Sequence, residues 1–515
     1  MLPTRRELLP LVTGLGLVLL HALRFWDVEH AVDDAWISFR VARNLIEHGV
    51  LTHAPERAPV EGATNLTWTL LSTSWIAALP GVDPIRPARL VGLACHLLAV
   101  AIGIRTVGHA VQASQGRDRA AALAAALALG APGSLTYWAM SGLETGLWGL
   151  LLALGVSLLV HRRHLLAGLC LAALAATRPE GVLAGGLLCA GALVLQGRPA
   201  WSTAATFATG VAGLEGFRLT VYGDWVPNTF HAKSPSVVDG IDYVLGGLGT
   251  GGIALLVLPA GVATRRHRAL TALFLLAGVL VAGAAASGGD WMPGYRRLTL
   301  PLLLLGGLAG VGVGLAPDPR QRLLAWGGVL GAVGCAVVAG VAGLDHGRFP
   351  TGVHAMIGER ARQTPAIRGI AAVDIGRLGW TFPGSIVDLV GLTDAHLARL
   401  PGSHGEKPWD EQWFRAHDPD LLIARSATPV SDPLDAPLVL GGPEQGMVRS
   451  VLDHGGYRLH TVMHPAEDQW LLLFAKDGLD LDPEVWGPRV PKDLRQLLIE
   501  ASARSTPGAP TPPSR

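Results

Sequence analysis

Apolar runs of roughly 15–22 residues alternate with short polar loops from Glu7 to Leu344, and no other feature constrains the fold as strongly. An α-helix needs an apolar run of this length to cross about 30 Å of hydrocarbon. The sequence therefore predicts a polytopic α-helical membrane protein. The candidate spans are residues 8–25, 64–79, 90–111, 120–132, 145–160, 165–177, 182–196, 201–217, 243–263, 269–286, 298–315 and 323–344.

The composition agrees with a membrane protein and gives no sign of nucleic-acid binding. Half of the 515 residues are hydrophobic, only 16% are charged, and the net charge is +1 without any basic stripe. A soluble domain contains about 25% charged residues. All four cysteines lie within apolar runs, so we expect small buried side chains rather than disulfides or metal ligands.

The sequence changes in character after Leu344, where charged residues become frequent. Short apolar runs at 370–373, 421–424 and 470–475 predict strands, and residues 410–417 predict a helix. We expect residues 345–504 to form a compact α/β domain. Residues 505–515 (STPGAPTPPSR) cannot bury a core and are expected to be a disordered tail.

Loop charges predict the topology, because cytoplasmic loops are enriched in Lys and Arg. Four short loops are basic, and they alternate with three acidic or aromatic loops and with the C-terminal domain. We expect the basic loops in the cytoplasm and the other set on the outer side of the cytoplasmic membrane. The basic loops are 161–164, 196–198, 264–268 and 319–322, and the outer loops are 178–181, 222–233 and 288–297.

The first third of the chain has one apolar run too many for this topology. Two arginines at positions 5 and 6 place the N-terminus in the cytoplasm, so residues 26–63 form the first outer loop. Glu144 is also expected outside, so an even number of crossings must separate it from that loop. About eleven spans then remain. The segment that does not cross is one of 64–79, 90–111 and 120–132, of which the first and the last are the weakest.

The first outer loop contains two adjacent carboxylates, Asp33 and Asp34, shortly after the first span. Either residue can cap the helix that follows. Ile37, Val41 and Leu45 recur every four residues, so that helix has an apolar stripe and can lie on the membrane surface. The alternative is a carboxylate dyad at the membrane face, available as a general base or as a cation ligand.

Five further outer segments mix charge with Gly or Pro: EGATN (61–65), SGLET (141–145), RPEG (178–181), GDWVPNTFHAK (223–233) and GGDWMPGYRR (288–297). Each alone has a structural explanation, as a helix-terminal carboxylate, a snorkelling arginine or an interfacial tryptophan. Together on one face they indicate a binding site. Its candidate residues are Arg40, Glu61, Glu144, Arg178, Glu180, Asp224, Asn228, His231, Lys233, Asp290, Arg296 and Arg297.

These residue types suit transfer of a group away from a lipid phosphate. Carboxylates can deprotonate an attacking hydroxyl, and arginine or lysine can bind a phosphate leaving group at the level of the headgroups. Aromatic side chains can stack on a sugar ring or pack against an isoprenoid chain. The aromatic candidates are Trp225, Phe230 and Trp291.

The segment DDAWISFRVARNLIEHG (33–49), followed by EGATN, SGLET, RPEG, GDWVPNTFHAK and GGDWMP, resembles one branch of the GT-C superfamily of membrane glycosyltransferases. That branch includes the mycobacterial terminal arabinofuranosyltransferase. Residues 373–394 (VDIGRLGWTFPGSIVDLVGLTD) resemble the start of the outer C-terminal domain of this group. The resemblance covers most of residues 26–400.

The resemblance implies a polyprenyl-phosphate-linked sugar as donor, an acceptor hydroxyl on a cell-envelope glycan or lipid, and inversion at the anomeric carbon. The essential acidic residue of the first outer loop in GT-C enzymes corresponds to Asp33 or Asp34, and a second acidic site corresponds to Glu144. The outer loops lack the Asp-X-Asp and WWDYG-like signatures of metal-dependent oligosaccharyltransferases. The resemblance therefore does not imply a required metal, and a divalent metal ion stays an open alternative.

The expected function is a sugar transfer at the outer membrane face, with Asp33 or Asp34 as the catalytic base. Two other classes stay open. A transporter or lipid flippase would place charged residues near the bilayer midplane and often contains internal repeats, neither of which is evident in the sequence. A non-catalytic membrane protein with a role at the cell surface is the third class.

Overall fold

The protein is described by a computed structural model that covers residues 5–26, 32–250, 252–265, 267–290, 292, 294–342, 351–402, 407–426, 440–466 and 469–486. The chain divides into two compact units. The helical unit comprises Met1–Ala35, Thr64–Trp225 and Pro235–Phe349, and the sheet unit comprises Trp36–Ala63, Val226–Ser234 and Pro350–Arg515. The tail expected to be disordered lies outside the described residues.

Helices account for nearly all regular structure before residue 343. In chain order they are α1 Arg5–Trp26, α2 Asp33–His48, α3 Leu66–Ala78, α4 Ile85–Ala113, α5 Asp118–Gly130, α6 Gly133–Ala139, α7 Thr145–Val160, α8 His164–Thr177, α9 Glu180–Gln196, α10 Trp201–Tyr222, α11 Asn228–Ala232, α12 Val237–Thr250, α13 Ile253–Thr264, α14 Arg268–Ala286, α15 Thr299–Leu315 and α16 Pro319–Ala342.

The described residues of each candidate span lie largely on one of these helices, except that residues 243–263 are divided between α12 and α13. Among the described residues, α1, α4, α14, α15 and α16 are long and apolar enough to cross a bilayer, and the bent pairs α5–α6 and α12–α13 raise the number to seven if each forms one span. Helices α7, α8 and α9 are apolar but shorter. The prediction of a polytopic helical membrane protein is confirmed.

The early segments that compete to be the non-crossing run differ clearly in length. Helix α4 has 29 residues, whereas α3 and α5 have 13 each. Thirteen residues rise only about 20 Å, which is less than the hydrocarbon thickness of about 30 Å. Helix α5 is bent by 59° from α6 at Pro132, whose missing N–H interrupts the helix. Segment 90–111 is therefore the one of the three whose length suits a simple crossing.

Helix α15 is the central element of the helical unit, and almost all of its residues are buried. It packs against α5, α13 and α14. Glycines permit these close contacts: a Cβ at Gly310 would lie 2.8 Å from the carbonyl oxygen of Ala121, and a Cβ at Gly312 would overlap the carbonyl of Pro259. The glycine-rich sequence of α15 therefore has a packing explanation.

The sheet unit contains a five-stranded mixed sheet with strand order β2-β1-β3-β5-β4. Strand β1 is parallel to β2 and β3, and the pairs β3–β5 and β5–β4 are antiparallel. The strands are β1 Gly369–Ala372, β2 Ser385–Asp388, β3 Leu421–Ser426, β4 Tyr457–Ala466 and β5 Gln469–Lys476, and the helices are α17 Thr351–Arg362, α18 Gly376–Thr381, α19 Ala395–Ala398, α20 Glu411–His417, α21 Gly442–His454 and α22 Pro483–Trp486.

Both faces of this sheet are buried, because successive residues of a strand point to opposite sides. Ile423 and Leu473 belong to one hydrophobic cluster, and Leu422 and Phe474 belong to another. Near-continuous apolar runs are typical of strands covered on both faces. The three predicted strands correspond to β1, β3 and β5, and the predicted helix corresponds to α20, so the α/β domain is confirmed.

Candidate active site

Glu144 is a buried carboxylate that lies directly before α7, with its side chain only 4% exposed. Its Oε1 accepts a bond from Nη1 of Arg178 at 2.5 Å, and its Oε2 accepts one from the amide nitrogen of Asn65 at 2.8 Å. The amide oxygen of Asn65 accepts the hydroxyl of Thr69 at 3.0 Å, which fixes the orientation of the amide. Both carboxylate oxygens of Glu144 are therefore engaged.

Arg178 joins the RPEG motif to Glu144. It follows α8 in an extended conformation, as expected for a residue that precedes a proline. Its Nε and Nη2 donate to the two carboxylate oxygens of Glu180 at 3.3 and 3.1 Å, and its guanidinium carbon lies 5.0 Å from the ring centre of Trp148. A planar guanidinium can bind two carboxylates and an aromatic face at once, which a lysine cannot do.

The network continues from Glu180, the first residue of α9, to Arg297. Nη2 of Arg297 donates to Oε1 of Glu180 at 3.3 Å. Its Nη1 donates to the carbonyl oxygen of Gly289 at 2.7 Å and to the hydroxyl of Ser287 at 2.6 Å. Arg297 therefore connects the start of α9 with the segment between α14 and α15.

Asp290 and Arg296 form a second ion pair in the same segment. Nε and Nη2 of Arg296 lie 2.9 and 2.8 Å from Oδ2 of Asp290, and both side chains are at least 89% buried. The guanidinium lies 5.3 Å from the ring centre of Trp138. Tyr295 precedes the pair with a left-handed backbone (φ +54), which is uncommon for a residue other than glycine. The neighbouring Trp291 of this motif lies outside the described residues.

The charges around Glu144 keep it ionised at neutral pH. Burial raises the pKa of the carboxyl, but the positive charges of Arg178 and Arg296 lower it, and the bond from Asn65 lowers it further. The net result is a pKa below the ordinary value for glutamate. We shall call Glu144, Arg178, Glu180, Asp290, Arg296 and Arg297 the ion network.

Asp33 and Asp34 occupy the first turn of α2, and both are half-buried. The next residue, Ala35, lies close to Gly142 of the SGLET motif, since a Cβ at Gly142 would be 3.1 Å from the Cβ of Ala35. Gly142 has φ +90, a conformation that favours glycine. The carboxylate pair therefore begins its helix beside the loop that carries Glu144.

The other candidate residues divide between the two units. Asp224 lies in the helical unit, directly after Gly223, and is half-buried. Five candidates belong to the sheet unit, where Glu61 is buried, His231 is half-buried and Lys233 is exposed. These five are Arg40, Glu61, Asn228, His231 and Lys233.

Arg40 binds backbone within the sheet unit. Its Nε donates to the carbonyl oxygen of His53 at 2.8 Å, its Nη1 to that of Gly379 at 2.8 Å and its Nη2 to that of Gly384 at 3.0 Å. Burial lowers the pKa of Arg40 to about 10, so the group is still charged at neutral pH. These bonds give Arg40 a structural role in attaching α2 to α18.

Asn228 also binds backbone rather than an open surface. Its amide nitrogen donates to the carbonyl oxygens of Gly391, Leu392 and Asp394 at 2.9, 3.0 and 3.2 Å. Its backbone N–H donates to the carbonyl of Glu61 at 3.2 Å. Asn228 thus connects the EGATN and GDWVPNTFHAK motifs with the loop after β2, and this is again a structural role.

Sequence reasoning did not include several residues that the structure brings to the ion network. Asn65 belongs to the EGATN motif but is not among the candidate residues, although an asparagine directly before an apolar helix is a usual capping signal. The ring of Trp148 lies against the guanidinium of Arg178, and the ring of Trp138 lies against that of Arg296. The hydroxyl of Thr145 and the indole nitrogen of Trp148 are buried without a hydrogen-bond partner among the described residues. Buried unbonded polar atoms are rare enough to call for a functional explanation.

The described part of the chain contains no preformed cluster of side chains for a metal ion. There, no group of three or more His, Cys, Asp or Glu side chains is arranged to hold one. Protein sites for divalent cations are usually built from several such ligands. The described side chains therefore do not by themselves fit a bound metal.

Comparisons of the sequence give one match. A family model described as a domain of unknown function (DUF8728) matches residues 346–474. This range contains strands β1 to β4 and β5 as far as Phe474. No curated protein matches the sequence.

Comparisons of the structure reach nearly the whole chain. ArnT from Cupriavidus metallidurans, bound to undecaprenyl phosphate, is similar with a TM-score of 0.54 and 14% identity, over 90% of this chain and 97% of that one. The oligosaccharyltransferase AglB from Archaeoglobus fulgidus, in complex with an inhibitory peptide and a dolichol-phosphate, is similar with a TM-score of 0.55 and 11% identity, over 96% of this chain and 77% of that one. Both are GT-C superfamily enzymes.

The fold is GT-C-like. Its apolar helices also make this chain an integral membrane protein. The fold class expected from the sequence, a GT-C-like helical domain followed by a small α/β domain, is therefore confirmed. At 11–14% identity, the likeness concerns the fold, and the assignment of an activity depends on the residues of this chain.

Proposed function

We propose that this protein transfers a sugar from a polyprenyl-phosphate donor to a hydroxyl of a cell-envelope glycan or lipid, at the outer face of the cytoplasmic membrane. The observation that carries the proposal is the ion network beside the first turn of α2. Three carboxylates and three guanidinium groups from distant segments meet at one end of the helical unit. Perturbed ionisable groups of this kind are concentrated at functional sites.

The carboxylate pair at the start of α2 supplies the base. Asp33 or Asp34 takes the proton of the acceptor hydroxyl, and the oxygen of that hydroxyl attacks the anomeric carbon. The bond between that carbon and the phosphate oxygen breaks, and polyprenyl phosphate leaves with the bonding electrons. Attack from the face opposite the phosphate inverts the anomeric centre.

The arginines of the ion network supply positive charge for the leaving phosphate. Arg178, Arg296 and Arg297 are fixed by carboxylates, by backbone and by aromatic rings. Donors fixed in advance need no reorganisation when charge develops in the transition state, and this is an important source of catalysis. The unbonded hydroxyl of Thr145 and the indole N–H of Trp148 are further donors at the same place.

The identity of the donor is supported by the fold and by the motifs. The similar structures contain undecaprenyl phosphate and dolichol-phosphate, which are both polyprenyl phosphates. The motifs from DDAWISFR to GGDWMP resemble the arabinofuranosyltransferase branch. We therefore propose polyprenyl-phosphate sugars as the donor class and a pentofuranose as the first sugar to test.

The position of the ion network favours an enzyme over a transporter. Glu144 precedes α7, Arg178 follows α8 and Glu180 begins α9. A transporter would place such charges near the middle of its spans, commonly where helices are interrupted. Charges at helix ends lie instead at the level of lipid headgroups, where the phosphate of a lipid-linked donor is found.

The test is to replace the two carboxylates separately, with Asp33→Asn and Asp34→Asn, in the full-length protein. Sugar transfer is measured from polyprenyl-phosphate pentofuranose and from a hexopyranose counterpart. Loss of a general base should lower the rate by about 10²–10⁴-fold in one of the variants. Asp239→Asn, at an exposed acid in the first turn of α12, is the matched control and should keep full activity. Full activity in both Asp33→Asn and Asp34→Asn would contradict the proposal.

A further inference from the structure

A cavity of about 360 Å³, with charged side chains in its wall, lies at the other end of the helical unit from the ion network. The two ends are distinguished by α7, because Glu144 precedes this helix and His161 follows it. The ring of His161 stacks on that of His109, a residue of the cavity wall, with 4.7 Å between ring centres. A cavity of this volume is in the range of small-molecule sites.

The wall of the cavity carries charges of both signs. It is formed by the start of α1, the last third of α4 and the start of α5. Two arginines, two carboxylates, one imidazole and one amide contribute to it. These residues are Glu7, Arg105, His109, Gln112, Asp118 and Arg119.

Arg105 is the most unusual of these residues, because it lies inside an apolar helix that is long enough to cross the membrane. It precedes the end of α4 at Ala113 by about 12 Å along the axis. Charged residues within membrane-spanning helices are rare and are usually functional. Nε of Arg105 lies 3.4 Å from a carboxylate oxygen of Glu7, yet the two side chains are still 41% and 32% exposed. The pair therefore remains accessible from the cavity.

We propose that this cavity binds the zwitterionic headgroup of a membrane phospholipid that carries a phosphate diester and a primary amine. Arginines bind phosphate through paired N–H donors, which suits Arg105 and Arg119. A primary ammonium group donates to carboxylates, which suits Glu7 and Asp118. A purely anionic headgroup would bring no cation of its own to these two carboxylates.

The surroundings favour a lipid over a soluble phosphate. Next to Glu7, the aliphatic side chains of Leu8, Leu9 and Val12 are 53%, 65% and 61% exposed. Such a surface can receive acyl chains, whereas a water-soluble ligand would leave it uncovered. The neighbouring basic loop 161–164 places this end in the cytoplasm by the positive-inside rule, so the lipid comes from the inner leaflet.

The experiment measures binding and thermal stabilisation of the full-length protein in detergent. The ligands are short-chain phosphatidylethanolamine, phosphatidylglycerol, phosphatidylcholine and inorganic phosphate. We expect phosphatidylethanolamine to bind at least about 10-fold more tightly than each of the others, a difference of about 1.4 kcal/mol. Phosphatidylcholine has no ammonium N–H, and phosphatidylglycerol has no cation.

Two variants connect that preference with the cavity. Arg119→Gln should weaken the binding of phosphatidylethanolamine about 10-fold through loss of a charged donor to phosphate. Asp118→Asn should reduce the preference for phosphatidylethanolamine over phosphatidylcholine. Arg162→Gln is the matched control, since Arg162 is exposed at the same end but is not part of the cavity wall, and it should bind as the parent protein does.

The outcomes decide between the proposal and its competitors. Equal binding of phosphatidylglycerol would show that the cavity accepts anionic lipids in general, and this would overturn the proposal. An equal effect of inorganic phosphate would show that no lipid is needed, and unchanged affinity in Arg119→Gln would exclude the cavity. None of these measurements depends on sugar transfer, so the inference stands or falls independently of the proposed function.

Discussion

At the scale of single residues, Glu144 shows how the ion network is held together. A buried carboxylate is costly unless it is paired and fully hydrogen-bonded. Arg178 and Asn65 meet this requirement on its two oxygens. Removing one partner of a buried pair costs more than the pair itself contributes, because the remaining charge stays buried.

The variant Glu144→Gln tests this argument with little change in side-chain shape. Arg178 would keep Glu180 but lose the charge of Glu144, so we expect a loss of about 3 kcal/mol in unfolding free energy. Sugar transfer should fall as well, because the guanidinium is no longer fixed. The measurement is thermal unfolding in detergent, next to the transfer assay.

The matched control is Glu359→Gln in α17. Glu359 also pairs with an arginine, Arg362, at 2.5 Å, but the two side chains are 43% and 55% exposed. Exposed pairs contribute little, so this variant should unfold like the parent protein. Equal effects of the two substitutions would contradict the idea that burial makes the Glu144 pair important.

Acid should remove the stability that comes from Glu144. Its pKa in the folded protein is lower than the ordinary value of 4.5, mainly because Arg178 and Arg296 outweigh the effect of burial. The stabilisation is therefore fully present above about pH 4.5 and is lost as the pH falls through the lower folded pKa. The difference in stability between the parent and Glu144→Gln should be constant near neutral pH and shrink below about pH 4.5.

The candidate residues that turned out to bind backbone mark the limit of sequence reasoning at this scale. Arg40 and Asn228 are candidate site residues because they occur in motifs rich in polar groups. The acceptors of Arg40 in and just after α18 lie 339 to 344 positions away. The side-chain acceptors of Asn228 lie more than 160 positions away. Backbone carbonyls have no residue-type signal, so no sequence pattern could show that these two donors were already used.

At the scale of elements, α15 sets the packing of the helical unit. Two of its glycines, Gly310 and Gly312, face neighbouring backbone at distances that real Cβ atoms essentially never show. In a membrane, small residues at helix interfaces permit close van der Waals contact, which is a main source of helix association there. The sequence marked this segment only as an apolar span, because a glycine at a packed interface and a glycine facing lipid look alike.

Two substitutions in α15 distinguish a glycine in tight contact with backbone from a glycine in ordinary contact with a side chain. The Cβ added by Gly312→Ala would overlap the carbonyl oxygen of Pro259 in α13, whereas the Cβ added by Gly307→Ala would lie 3.8 Å from Cγ2 of Val107, an ordinary contact. We expect Gly312→Ala to lower the unfolding free energy by about 1–3 kcal/mol and Gly307→Ala to be neutral or slightly stabilising. Thermal unfolding in detergent measures both, and a loss in Gly307→Ala as large as that in Gly312→Ala would contradict the packing.

The helical elements were predictable to a high degree, and the exceptions have physical causes. Apolar runs identify helices in a membrane because every backbone group must be satisfied within its own segment. Strands β2 and β4 were not predicted. Strand β2 (SIVD) contains only two apolar residues, and β4 mixes polar and apolar residues. The bend between α5 and α6 coincides with Pro132, a signal that the length of the apolar run alone had hidden.

At the scale of the whole molecule, the sheet unit is assembled from three separate parts of the chain. Residues Trp36–Ala63 and Val226–Ser234 come from two loops that the charge pattern places outside the membrane, and they pack with Pro350–Arg515. Segments that fold together must lie on the same side of a bilayer. The composition of the unit therefore supports the expected alternation of loops, although loop charge alone could not reveal which loops join the C-terminal domain.

Single cysteine substitutions, labelled with a membrane-impermeant maleimide, test this topology in cells. Gln363→Cys lies at an exposed position directly after α17 in the sheet unit, and Arg162→Cys lies in the exposed basic loop after α7. Of the native cysteines, Cys95, Cys170 and Cys189 are buried, so the parent protein provides the background. We expect Gln363→Cys to react in intact cells and Arg162→Cys to react only after permeabilisation, because the excess of Lys and Arg keeps the second loop in the cytoplasm. The reverse pattern would invert the topology and move the ion network to the cytoplasmic side, where a sugar transfer at the outer face could not take place.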